Sequence, residues 1–314
     1  MKTYEWELKN GISRTKEFEK KGLAQFAVNI GLKCGHACTY CSTGAMLRVH
    51  HAFKELGVSA FDNGYAIVDP STPQRVARDA RKIRKRAMVQ LCTTVDAWSP
   101  EAQEHDLGRK CLEAILSEPD WTVRILTKNA AVRKDFDLIE KHADRVLVGL
   151  SITATPDKSN RIKIIEPNAS SIEERMETVK QAHKRGLRTY GMFCPILPSV
   201  ADSPAQIDEL IKFAVDCGVE EIFAEAVNPR GRGLILTEQA LEAEGYHVEA
   251  TAIKNIRTRQ NWSDYVVRLI KNVQRSMRKY YDITKLRFLQ YPSGLKEKDI
   301  IEIKKDNAGI VWLG

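Results

Sequence analysis

Short apolar runs at residues 24–30, 88–93, 121–127, 146–151, 188–194 and 221–226 alternate with longer stretches whose apolar positions recur every three to four residues. The first pattern predicts buried strands and the second predicts amphipathic helices. The helical stretches fall at 72–86, about 104–117, near 131–141, about 171–185, and from Ser203 to Gly218. Several carry their own start and stop signals. Thr72 is placed to cap the first, with Pro73 at its first position. Ser171 and Glu174 have capping-box spacing, and Gly186 follows as a stop. Ser203, Pro204 and Gln206 open the last, while Pro195 and Pro198 end the strand before it.

Six strand-plus-helix units in order predict an α/β protein whose parallel sheet rolls into a partial (β/α)6 barrel. In such folds functional residues gather where strands end and loops begin. Beyond Gly231 the pattern changes to an Arg-Gly-Arg-Gly turn, a polar stretch to Asn261, a long basic helix over 263–281, and strands at 286–291 and 309–313. The expected organisation is an N-terminal extension (1–22), a core barrel (23–230) and a basic α+β C-terminal appendage (231–314).

With 43% hydrophobic and 29% charged residues in 314, the chain reads as an ordinary globular protein. No apolar stretch approaches bilayer-spanning length, so no membrane association is expected. Residues 1–21 are charged and lack the apolar core of a secretory signal, which places the expected location in the cytoplasm. A net charge of +8 favours a polyanionic partner, with nucleic acid the obvious one. Seven cysteines suit a reducing compartment, where clustered thiols are more often metal ligands than bridges.

Three of them, in Cys34-Gly-His-Ala-Cys38-Thr-Tyr-Cys41, fall within eight residues just past the first strand. Thiolates are the usual ligands of iron–sulfur clusters, and three leave one iron of a [4Fe–4S] cube without a protein partner. The rival is a structural zinc loop with His36 as fourth ligand. It would normally need a second knuckle, and Cys92, Cys111, Cys194 and Cys217 show no paired spacing.

The C-x3-C-x2-C spacing, with an aromatic before the last cysteine, resembles the radical S-adenosylmethionine (radical SAM) motif. The resemblance implies a [4Fe–4S] cluster on Cys34, Cys38 and Cys41, with SAM on the open iron. It implies a reductant such as flavodoxin or ferredoxin, and a deoxyadenosyl radical that takes hydrogen from a substrate.

Further blocks arrive in order: Thr94-Val-Asp-Ala-Trp-Ser-Pro-Glu101, Ile125-Leu-Thr-Lys-Asn129, Gly149-Leu-Ser-Ile-Thr153, Glu166-Pro-Asn-Ala-Ser-Ser171 with Arg175, and Cys194-Pro-Ile-Leu-Pro198. Together with the cysteine loop they resemble the spore photoproduct lyase-like proteins, often labelled DNA repair photolyases. That resemblance implies Tyr40 near the adenine, Thr94 near the methionine or ribose, Lys128 at the carboxylate and Ser151 at the ribose hydroxyls. Glu166 and Arg175 would form a buried pair. Cys92 matches the lyase's hydrogen-donating cysteine, and is expected to share a face with Thr94 towards the barrel mouth. Ser42 stands where the lyase has a tyrosine, and a hydroxymethyl group cannot relay a hydrogen atom as a phenol can.

Two basic rows point to a nucleic-acid substrate or partner: Arg75, Arg78, Arg81, Lys82 and Lys85 on one helix, and Arg268, Lys271, Arg275, Arg278 and Lys279 on the other. Trp262, Tyr265, Tyr280 and Tyr281 lie close to the second and could stack on bases. Two alternatives remain open: a radical enzyme acting on a peptide or small metabolite, and a non-catalytic nucleic-acid-binding protein with a structural metal loop.

Overall fold

The computed structural model describes every residue from Met1 to Gly314. Its main feature is an arc of eight parallel strands: β1 (Phe26–Val28), β2 (Met88–Leu91), β3 (Thr122–Thr127), β4 (Val146–Leu150), β5 in two segments (Arg188–Thr189 and Gly191–Ile196), β6 (Ile222–Ala226), β7 (Leu286–Gln290) and β8 (Ile310–Trp312). Each pairs with the next in sequence, from Phe26 opposite Val89 to Gln290 opposite Trp312. A bridge from Ser151 to Met192 joins the two halves of the ladder. No ladder connects β8 to β1, so the arc is open. The seam is spanned by the short helix Lys16–Lys20, whose Glu17 accepts a hydrogen bond from the Tyr291 hydroxyl.

The expected α/β class and open barrel are present. The expected appendage is corrected, because β7 and β8 prolong the core ladder. Apolar periodicity finds strands but not their neighbours. Here the neighbour of β6 lies beyond three helices, Gly233–Ala243, His247–Asn255 and Arg259–Tyr280. The first two occupy the stretch read as merely polar; they bury Leu234, Leu241, Ala250 and Ile253 in the main core.

Alternation along the strands sorts side chains onto two faces. Val146, Val148 and Leu150 enter a large core shared with the surrounding helices. Leu147 instead joins Leu23, Tyr190, Met192, Phe223, Leu289 and Leu313 in a small cluster inside the arc, against which Phe18 packs. Gly149 is required there, because a Cβ would sit 2.4 Å from the Tyr190 ring.

The predicted capping box forms at Ser171 with Glu174, and the helix opened by Ser203 has a second one with Gln206. The helix expected at 72–86 runs Thr72–Lys82, and its N-cap is Ser71. Thr72 is already helical, since the Ser71 hydroxyl is engaged with Asp69 and Arg75 at the entry. A three-stranded sheet made by Lys2–Glu5, Tyr65–Val68 and Gly31–Lys33 flanks the arc, and was not foreseen from sequence. No helix is long and apolar enough to cross a membrane.

Candidate active site

The chain leaves β1 through Gly31 and enters the cysteine loop, which is held from three sides. The Gly35 amide donates to Glu101, at 3.0 Å from both carboxylate oxygens, and Ser99 Oγ donates to the same carboxylate at 2.6 Å. Asn168 Nδ2 donates to the Gly35 carbonyl at 2.8 Å, and the Thr39 amide donates to Ile165 O. His36 has both ring nitrogens engaged, Nε2 with Asp96 at 2.9 Å and Nδ1 with Asn168 O at 3.0 Å. Burial opposes its charged form, but the Asp96 carboxylate outweighs it and holds His36 above its ordinary pKa.

Asp96 also accepts from Thr127 Oγ1 and from the Lys128 and Trp98 amides. One carboxylate therefore ties the cysteine loop to the ends of β2 and β3. The blocks around residues 94–101 and 166–171 serve as loop holders, a role their positions in sequence did not disclose. His36 is thus spent on structure, and the zinc reading loses its fourth ligand.

Cys34, Cys38 and Cys41 line one cavity together with Thr94 and Gly233. The backbone of Gly233 lies so close that a Cβ would come within 2.7 Å of Tyr40 O. No three His, Cys, Asp or Glu side chains are grouped tightly enough for a single ion. A four-iron cube spaces its thiolates more widely than one ion does, and zinc would lack its fourth protein ligand here. Burial pushes the Cys38 thiol up to about 12, with Glu166 adding to the shift, and burial, Cys41 and Cys38 likewise push Cys34 well above its ordinary pKa. Bound metal would have to displace those protons.

Beyond Cys41 opens a larger cavity of about 680 Å³, walled by Tyr40, Lys128 and Ser151 on the side of the cysteine loop. All four expected cofactor contacts thus border cavities lined by cysteines of the loop, Thr94 being on the smaller one. Tyr40 is fixed by hydrogen bonding to Glu166, which pairs with Arg175; both members of that pair have fully buried side chains. Burial raises the Glu166 pKa, but Arg175, Lys128 and Tyr40 together hold it below the usual carboxylate range. Arg175 reaches on to the Ser151 carbonyl at 3.0 Å, and Lys128 Nζ lies 5.8 Å from the Tyr40 ring centroid.

Cys92 does not reach this cavity. It is 3% exposed and sits in the helix-side core, where burial, with Cys111 adding to it, pushes its thiol well above the ordinary pKa. The expectation that it shares a face with Thr94 fails because the ladder ends at Leu91. Past that point Asn29 takes over. Its Oδ1 accepts from the Thr93 and Thr94 amides at 2.9 Å, and strand alternation no longer applies. Cys92→Ala should therefore cost about 1 kcal/mol in chemical denaturation, as for a small core truncation, and leave the yield of 5′-deoxyadenosine unchanged. A loss of turnover in a stably folded variant would return Cys92 to the chemistry.

Besides Cys41, the thiol that faces the large cavity is Cys194, 3.5 Å from Glu225 Oε2. The only signal for it in sequence was its place at a strand end before Pro195. Ser42 also lines the cavity.

The basic rows are corrected as well. Arg75 is buried and pairs with Asp69 and Glu7, and Arg78 pairs with Asp79. On the long helix Arg268, Lys271, Arg275, Arg278 and Lys279 all meet carboxylates, from Asp202, Glu302, Asp208 and Asp306. Trp262 and Tyr265 are buried, and the Tyr265, Tyr280 and Tyr281 hydroxyls are bonded to Ile196 O, Asp208 and Val219 O.

Among solved structures, spore photoproduct lyase complexed with dinucleoside spore photoproduct superposes with a TM-score of 0.58 at 13% identity, covering 89% of this chain and 80% of that one. At that identity the likeness shows the fold. An uncharacterized protein, ORF301, of Acidianus two-tailed virus is 27% identical over 221 residues, 69% of this chain and 71% of its own. Another, MJ0683 of Methanocaldococcus jannaschii, is 26% identical over 190 residues, 60% and 67% of the two chains. Residues 28–214 match the Radical SAM superfamily, a span that runs from the end of β1 through the cysteine loop and the side of the large cavity formed by Tyr40, Lys128 and Ser151. The chain belongs to the Radical SAM superfamily.

Proposed function

We propose that this chain is a radical SAM enzyme that abstracts hydrogen from a nucleic acid or nucleotide. The observation that carries the reading is the cavity of about 680 Å³ that begins at Cys41, with Tyr40, Lys128 and Ser151 on its wall. A cavity of this size accommodates small ligands, and a nucleotide beside a cofactor falls within its scale.

Cys34, Cys38 and Cys41 would hold a [4Fe–4S] cluster on a loop whose backbone is fixed beside the cavity. With SAM bound, the pair supplies one-electron cleavage to methionine and a 5′-deoxyadenosyl radical, which takes a hydrogen atom from the substrate. The chain's own part is placement. The Lys128 ammonium would bond the cofactor carboxylate, Tyr40 would lie along the adenine with its hydroxyl spent on Glu166, and Ser151 would take the ribose. A low-potential one-electron donor of the flavodoxin or ferredoxin kind completes the system. Likeness to a lyase whose solved complex holds a dinucleoside supports the substrate class.

The test is anaerobic reconstitution, chemical reduction, and chromatography for 5′-deoxyadenosine, with and without added DNA, RNA or nucleotides. Slow cleavage of SAM without substrate and faster cleavage with one nucleic acid are expected. An intact, reducible cluster that yields no 5′-deoxyadenosine would overturn the assignment. In the same assay a synthetic dinucleoside spore photoproduct should not be repaired over multiple turnovers, because Ser42 replaces the phenol and Cys92 faces away.

A further inference from the structure

The ion pairs described above move the search for a nucleic-acid surface off the two basic helices. The cations left free on helix Thr72–Lys82 and the segment after it, Arg81, Lys82, Arg84 and Lys85, lie immediately before β2. In a parallel βα array that is the edge opposite the strand ends that carry the cysteine loop. A strand of nucleic acid held there would not reach Cys41.

The mouth of the large cavity has a different composition. Lys20, at the end of the seam helix, and Arg230, in the turn after β6, are exposed and have no carboxylate within the 4.0 Å of an ion pair. The Arg230 turn is shaped by its own amide, which donates to Asn228 Oδ1 at 2.9 Å. This leaves the guanidinium 5.1 Å from the centroid of the half-buried Tyr291 ring. Lys21 Nζ, which pairs with Glu17, lies 5.6 Å from the centroid of the same ring and 5.2 Å from that of Phe18. Cations and aromatic faces therefore alternate along the rim, on three elements that are far apart in sequence. Alternating phosphate-binding cations and stacking rings is how proteins hold single strands without reading their sequence.

We propose that Lys20, Arg230 and Tyr291 form a grip for single-stranded nucleic acid at the cavity mouth. Lys20 and Arg230 bind phosphates, and Tyr291 stacks on a base. The grip rests on the nucleic-acid reading above and adds to it a location and a strandedness. A duplex is too wide for a cavity of about 680 Å³, so the reacting nucleotide enters as part of a single strand or swings out of a helix. DNA and RNA share this chemistry, and the experiment separates them.

The experiment uses the full chain with its cluster reconstituted, and fluorescence anisotropy of labelled single-stranded DNA and RNA oligonucleotides across a salt series. Arg230→Glu and Lys20→Glu should each weaken binding roughly tenfold at low salt, and removing one phosphate contact should reduce the salt slope by about one. Arg230→Lys should recover most of the affinity, which rules out misfolding as the cause. Tyr291→Leu should weaken binding with the salt slope kept. Arg278→Glu, on the long helix, should bind as the parent does. The preferred sugar is the one bound more tightly at equal salt. Normal binding by Arg230→Glu and Lys20→Glu, with loss in Arg278→Glu, would overturn the grip and leave the nucleic-acid reading standing. If the unaltered protein binds neither oligonucleotide at low salt, both fall.

Discussion

Cys38→Ala should lose its iron on reconstitution and reduce the yield of 5′-deoxyadenosine by more than about a hundredfold. Loss of even an outer-shell partner costs metal sites about 10–100-fold, and here a ligand itself is removed. No other thiol can replace it. Cys92 and Cys111 lie in the helix-side core, Cys217 is buried at the end of helix Pro204–Asp216, and Cys194 is engaged with Glu225 across the large cavity. His36 cannot step in, because both its nitrogens are committed. Cys34→Ala and Cys41→Ala should behave alike, whereas Cys217→Ala should keep its iron. Iron and sulfide analysis of all seven single variants decides the matter. Full iron retention in Cys38→Ala, or iron loss in Cys217→Ala, would sink the ligand assignment.

The second large effect concerns Arg175→Met. Its guanidinium neutralises Glu166 where neither side chain touches solvent, and it also bonds Ser170 O and Ser151 O. Removing one member of a buried pair leaves the other charge uncompensated, at a cost of about 3–5 kcal/mol. For a chain of this size that corresponds to a fall in Tm on the order of 10 °C. The pH dependence gives a second signature. In the parent the Glu166 pKa is depressed in the folded state, so its contribution is present above the unfolded carboxylate value and is lost as pH falls through the folded one. Without Arg175, burial dominates and the folded pKa rises. The folded state then binds more protons than the unfolded state, and acidification stabilises the variant relative to the parent. The difference in Tm should shrink between about pH 7 and pH 5. Glu166→Gln added to Arg175→Met should recover part of the loss. A deficit that stays constant with pH would show that Glu166 is not the source.

What sequence reveals about this chain follows the range of the forces involved. Ser171 with Glu174 and Ser203 with Gln206 were legible because a capping box closes within four residues. The six core strands were legible because burial imposes apolar runs, and the cysteine loop because its spacing is local. Partners distant along the chain were not. Arg275 and Arg278 read as free cations, yet their carboxylates, Asp208 and Asp306, lie 67 and 28 residues away. Asp96 and Glu101 stood inside a recognised block, but only the fold shows them gripping His36 and Gly35. Cys92 is the subtler case: alternation from Cys92 to Thr94 runs past Leu91, where the ladder ends, into a stretch whose geometry the Asn29 side chain sets.

The seam between β8 and β1 has a mechanical consequence. A ring of strands closed by hydrogen bonds has its girth set by strand number and stagger. This arc has no such closure, and its first and last strands are spanned by one short helix and side-chain contacts such as that of Tyr291 with Glu17. Its bore can widen or narrow without breaking a backbone ladder.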